Sequence, residues 1–116
     1  MIDEAQKLML KFKQEKFAIN LMTMVILAPI VEEILFRQLM FKTFANYLSK
    51  FMAGFIVSLL FALIHFSFTD ALPLFIASSF YVYLTIKSES IIPAIIAHVF
   101  NNGLTFFSYF YLLQHF

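Results

Sequence analysis

Two adjacent carboxylates and a guanidinium, Glu32, Glu33 and Arg37, stand in the middle of segment 20–41, NLMTMVILAPIVEEILFRQLMF, which is apolar on both sides of them. Holding an ionised side chain at the centre of a bilayer costs about 2.5–3.5 kcal/mol on insertion scales, so such groups must pair or face a polar cavity. Two histidines and an amide recur in equally apolar surroundings: His65 in FALIH, and His98 with Asn102 in HVFNN. A carboxylate, two imidazoles and an amide are groups that hydrolysis uses: a base to take a proton from water, and N–H donors for the oxyanion. The same residue types would suit a divalent metal such as zinc on Glu32, His65 and His98. No HExxH pair accompanies them.

Spacing divides these residues into roles. Glu33 and Arg37 are i,i+4 in the order that favours pairing on a helix, so they neutralise one another. Glu32 lies about 100° round the helix and is left to face something else. Phe61 and His65 are i,i+4, which lets the ring pack beside the imidazole, and His98 and Asn102 share a face in the same way. Bland readings stand beside these. Glu33–Arg37 is a structural salt bridge, His65 alone is a core histidine, and His98–Asn102 is an interhelical hydrogen-bond pair worth about 0.6 kcal/mol in a membrane. The salt-bridge reading leaves Glu32 unexplained.

The elements that must position these groups follow from composition. The chain has 116 residues, 62% of them hydrophobic and 13% charged, and its mean hydropathy is +0.87. Soluble domains are about 45–50% apolar and about 25% charged, so the chain reads as integral to a lipid bilayer. A net charge of +1 gives no electrostatic case for nucleic acid, and the absence of Cys removes thiolate chemistry. Residues 1–16, MIDEAQKLMLKFKQEK, are too interrupted by lysines for a secretory signal and read as an amphipathic or solvated lead-in. Residues 17–116 form one core.

The fold class is all-α: a polytopic membrane bundle of about four transmembrane helices around a polar intramembrane site. Spans are expected at about 17–45 (bent near Pro29), 51–67, 70–87 and 90–113, since a crossing needs about 20 apolar residues. Barrel strands would alternate over about ten residues, and no such alternation occurs. Asp70 suits the N-cap of the third helix. Pro73 and Pro93 suit early helix positions, and His115 suits the interface. Positive charge falls on both sides, so orientation is not fixed by it.

Depth brings the polar groups together. Counting from Lys42, Lys50 and Lys87 at about 1.5 Å per residue, Glu32 lies roughly 15 Å deep, His65 roughly 22 Å and His98 roughly 16 Å, with Asn102 one turn further. All fall well inside a hydrocarbon core of about 30 Å. Three helices thus each contribute a polar group at comparable depth.

VEEILFR contains EExxxR, FALIH is FxxxH and HVFNN is HxxxN. These three in this order, with the flanks LAPIVEEILFR and SIIPAIIAHVFNN, resemble the CPBP family, also called Abi or CAAX protease-like. That family includes type II CAAX prenyl endopeptidases and bacterial proteins linked to bacteriocin self-immunity. The likeness covers about residues 20–104. It implies an intramembrane endopeptidase of the bacterial plasma membrane, acting on a membrane-associated or prenylated peptide with no obligatory cofactor. It further implies that Glu32, helped by His65, activates water, that His98 and Asn102 stabilise the oxyanion, and that Glu33, Arg37 and Phe61 support the site. The chain departs from the family's habit at Gln38, where Gly is common, and in ALPLFIASSFYVYL, where Ser78–Ser79 is the only small pair. A non-catalytic immunity or membrane interaction protein is the competing class, and an ion path is a weaker third because only one polar layer is visible.

Overall fold

A computed structural model describes residues 1–115, and among them there is no strand. Four helices follow one another: α1 (Glu4–Ala45), α2 (Lys50–Leu63), α3 (Ala71–Ser88) and α4 (Ile92–His115). The longest dimension is 65 Å. At 1.5 Å per residue the 42 residues of α1 account for nearly all of it.

Helix starts follow local chemistry. Asp3 and Gln6 form a reciprocal capping box, the Asp3 carboxylate accepting from Gln6 N at 2.7 Å and the Gln6 side chain from Asp3 N at 3.0 Å. The residues 1–16 expected as a lead-in are therefore helical from Glu4 and continuous with the first span. None of the residues from Glu4 to Leu21 is buried. Ser49 caps α2 by accepting from Met52 N at 3.1 Å. Asp70 occupies the N-cap position of α3 without capping through its side chain, because Ser67 Oγ donates to its carboxylate at 2.8 Å instead. Pro73 and Pro93 fall in first turns, where a missing N–H costs nothing.

α1 is not a uniform α-helix. Two stretches, Met22–Leu27 and Ile34–Phe41, have the wider π register, and the short α-helical piece Ala28–Glu33 lies between them. Near Pro29, where a break or bend is expected, the helix is continuous and passes through a π turn just before the proline. α2 ends at Leu63, four residues before the expected 67, so His65 sits in the turn that follows.

The helices alternate in direction. Phe36 of α1 meets Phe61 of α2 edge-on at 5.1 Å, Phe55 of α2 meets Phe75 of α3 at 5.6 Å, and Phe17 of α1 meets Phe110 of α4 at 4.8 Å. One apolar core joins Phe36, Phe41, Ala53, Val57, Phe61 and Val82 from three helices. Elsewhere large apolar side chains face outward, among them Phe51 at 80% exposure. Soluble monomers rarely expose continuous apolar surface on this scale. Among the described residues, α1 and α3 are long and apolar enough to cross a membrane.

The α2–α3 contact is tightest at Gly54, where a Cβ would come within 3.0 Å of Val82 Cγ1. A helical valine has one strongly preferred rotamer and cannot swing aside. The clash, of order 1–3 kcal/mol, outweighs the roughly 0.8–1 kcal/mol gained in helix propensity. Gly54→Ala should therefore lower the thermal midpoint in detergent, and Val82→Ala should recover part of the loss in the double variant. A Gly54→Ala protein more stable than the parent would show that the helices separate freely.

Candidate functional site

The site is built around one imidazole. His98 of α4 is buried, and both of its ring nitrogens face carboxylates of α1: Nδ1 lies 2.9 Å from Glu33 Oε1 and Nε2 lies 3.4 Å from Glu32 Oε2. Consecutive helical residues diverge by about 100°, and this divergence lets Glu32 and Glu33 grip the ring from its two ends. A carboxylate oxygen accepts, so Nδ1–H donates to Glu33. At 3.4 Å the Glu32 contact is longer than an ideal hydrogen bond.

Glu33 is tied into the bundle. It is 0% exposed, as is Arg37, and Oε2 lies 3.2 Å from Arg37 Nε. This is the pair that the i,i+4 spacing predicts, and it persists although the helix between them has entered the π register. The two atoms are in coulombic contact without the alignment of a hydrogen bond. Arg37 makes its aligned bonds to α3, where Nη2 donates to Ser78 O at 2.9 Å and also to Ser78 Oγ. Its guanidinium lies over the Phe61 ring at 4.9 Å and the Tyr81 ring at 5.3 Å, an arrangement in which ring quadrupoles favour the cation. Tyr81 in turn stacks on His98, with centroids 4.8 Å apart and planes 19° apart. Glu32 differs from all of these, since its side chain is 30% exposed.

His65 stands in the turn after α2 and is exposed. Its Nδ1 is 2.6 Å from Phe61 O. A carbonyl only accepts, so Nδ1 carries the proton and Nε2 is the basic nitrogen of the neutral ring. Phe61 touches both imidazoles, at 4.9 Å from His65 and 5.9 Å from His98. Among the described residues, no three His, Asp or Glu side chains gather closely enough to hold a metal ion. Glu32, His65 and His98 are thus not assembled as the ligand set that their types allowed.

Asn102 has a structural bond, Nδ2 donating to Met24 O at 3.0 Å. The reason lies in α1. Ala28 N–H bonds to Thr23 O, five residues back. Continuing that register, Met24 O would receive the N–H of residue 29, and Pro29 has none. The amide from α4 fills the gap, and its second N–H is left for another acceptor. Pro29→Ala restores the missing donor. Asn102→Ala should therefore cost about 0.5–1.5 kcal/mol in the parent and clearly less beside Pro29→Ala. A double-mutant cycle on thermal unfolding reads this coupling, and strict additivity would show that the bond does not answer to the proline.

Ser78 and Tyr81 are the partners that the motifs did not single out. A signal existed: Ser78 lies nine residues from Lys87, roughly 14 Å deep, which is the depth of Glu32. Tyr81 follows at i+3 on the same face.

Neither a curated protein nor a solved structure matches the chain. The family model described as Type II CAAX prenyl endopeptidase Rce1-like matches residues 14–104, a span that holds all three motifs. Members of that family are integral membrane proteases. With most of its length matched, including every residue that grips His98, this chain belongs to the Rce1-like type II CAAX prenyl endopeptidase family.

Proposed function

We propose that the chain is a glutamate-type intramembrane endopeptidase of a bacterial plasma membrane, hydrolysing a peptide bond of a prenylated or otherwise membrane-associated substrate. The observation that carries the reading is the unequal use of two adjacent carboxylates. Glu33 is fully buried against Arg37, whereas Glu32 is partly exposed beside His98 Nε2. A base must reach both water and the proton it removes, and Glu32 has that access.

In the proposed reaction Glu32 takes a proton from water while the water oxygen bonds to the scissile carbonyl carbon, and the carbonyl π electrons move onto oxygen. The second N–H of Asn102 supplies a donor for that oxyanion, and His98 supplies another from Nε2 when its ring carries both protons. Collapse re-forms the carbonyl, breaks the C–N bond and passes the proton from Glu32 to the departing amine. His65, with Nε2 basic, helps to hold the water. Glu33 holds the orientation of His98, Arg37 fixes Glu33, and Phe61 and Tyr81 wall the site. No metal takes part in this scheme.

The test is cleavage of a fluorescent CAAX peptide bearing a prenyl group by the purified protein in bilayer discs. Cleavage that survives a strong chelator supports the water-and-glutamate reading, and loss on chelation overturns its metal-free form. If neither prenylated nor unmodified peptides are cut while the folded protein still confers immunity in cells, the non-catalytic membrane interaction reading replaces it.

A further inference from the structure

A groove lies between α2 and α3, and none of the residues that grip His98 lines it. Two small residues, Gly54 of α2 and Ser79 of α3, leave the hollow, and the rings of Phe51, Phe55, Phe75 and Tyr83 surround it. Its volume is about 390 Å³, within the range of ligand sites. Helical spacing sets it apart from the site around Glu32. α3 turns Ser78 to Arg37 and Tyr81 to His98. Phe75, Ser79, Val82 and Ile86 recur at i, i+4, i+7 and i+11, so they share the adjacent face and line the groove. Both faces belong to one backbone, and whatever fills the groove bears on the helix that holds Arg37.

The lining is apolar with a single cation. Ser79 Oγ donates to Phe75 O at 2.8 Å, so its one proton is spent within α3. Lys50 is the only charged residue of the lining, and it is exposed. Among the described residues it joins no ion pair, whereas Lys42 Nζ on the same face donates to Gln38 at 2.8 Å. Lys50 also begins α2, and a helix N-terminus favours the same sign of charge as an ammonium does. The length of the groove fits one leaflet. From Ile86 back to Phe75 the α3 wall runs eleven residues, about 16 Å, close to half of a hydrocarbon core of about 30 Å. It therefore starts at the face that carries Lys42, Lys50 and Lys87 and reaches the level where Phe55 meets Phe75 at 5.6 Å.

We propose that this groove binds one anionic phospholipid of the surrounding bilayer, with an acyl chain between the rings and the phosphate against Lys50. An apolar tail of leaflet depth joined to an anionic head is what the lining complements. A zwitterionic lipid offers the same tail but brings a second cation beside Lys50. The bound lipid braces α2 against α3 and so steadies Ser78, the partner of Arg37, from the back of its helix.

Thermal unfolding of the purified full chain in detergent, with phosphatidylglycerol or phosphatidylcholine titrated in, tests the proposal. A ligand that binds only the folded state raises the midpoint with its concentration. Phosphatidylglycerol should do so at a concentration at least about fivefold lower than phosphatidylcholine, the factor that one lysine contributes at an anionic surface. Lys50→Gln, an exposed position, should remove that preference. Lys42→Gln, which takes the same charge from the same face outside the groove, should keep it. Ser79→Leu fills the hollow and should abolish the response to both lipids; if that variant does not fold, the two lysine variants still decide. Native mass spectrometry should find one lipid retained on one chain. Equal response to the two lipids, or equal loss in Lys42→Gln and Lys50→Gln, overturns the proposal. So does a second copy of the chain in place of the lipid, or displacement of the lipid by a prenylated peptide, which would give the groove to the substrate. No turnover is read, so the outcome is separate from that of the peptide-cleavage test.

Discussion

Glu32→Gln should abolish peptide cleavage while leaving the protein folded. The amide keeps the shape of the side chain and cannot accept a proton from water, and a positioned general base contributes about 10²–10⁴-fold. A fall of at least about a hundredfold in kcat is therefore expected, with KM little changed because the lost interaction acts in the transition state. Folding should survive. Glu32 is partly exposed, and its contact with His98 Nε2 lies beyond ideal hydrogen-bond distance at 3.4 Å. The neighbouring Glu33→Gln supplies the contrast. It removes the carboxylate that orients His98 and should disturb both rate and stability, since Glu33 is buried between His98 and Arg37. Full kcat in Glu32→Gln on a prenylated probe would remove Glu32 from the chemistry and with it the proposed mechanism.

Arg37→Ala should be the most destabilising single change in the bundle. It leaves Glu33 enclosed without its guanidinium partner, a loss of about 3–5 kcal/mol for a broken buried pair. It also frees Ser78 O and Ser78 Oγ and removes the cation from the Phe61 and Tyr81 rings. Arg37→Lys should rescue only partly, because a single ammonium cannot bond Ser78 and lie against Glu33 as the planar fork does. Replacing both partners separates a true pair from a mere packing defect. Glu33→Met with Arg37→Met should be more stable than Arg37→Met alone, since the double variant buries no unpaired charge. Thermal unfolding in detergent and the yield of folded protein read all three. A double variant no better than the single would mean that the pair contributes through packing and not through charge.

Much of the architecture was legible from local rules. An apolar chain with helical rather than alternating pattern permits only helices, and the depth of each polar group follows from rise per residue once the flanking lysines are placed. Glu33 and Arg37 pair because they are i,i+4, a relation that needs no other part of the molecule. The motifs around Glu32, His65 and His98 marked the family for the same reason, since residue types and spacings are carried by the chain itself.

Other features required the assembled bundle. α2 stops at Leu63 in a turn that has no Gly or Pro to announce it, with Phe66 in the left-handed region instead. The clasp of His98 by two carboxylates, the stack of Tyr81 on His98 and the bonds from Arg37 to Ser78 all join different helices. Periodicity places a side chain on a face of its own helix. It does not fix how far one helix is rotated or shifted against the next, least of all where most faces are apolar and lipid-compatible. Even the role of Asn102 depends on this. Pro29 leaves Met24 O without a donor, a fact written in the sequence, but only the docking of α4 against the π turn of α1 decides which side chain answers it.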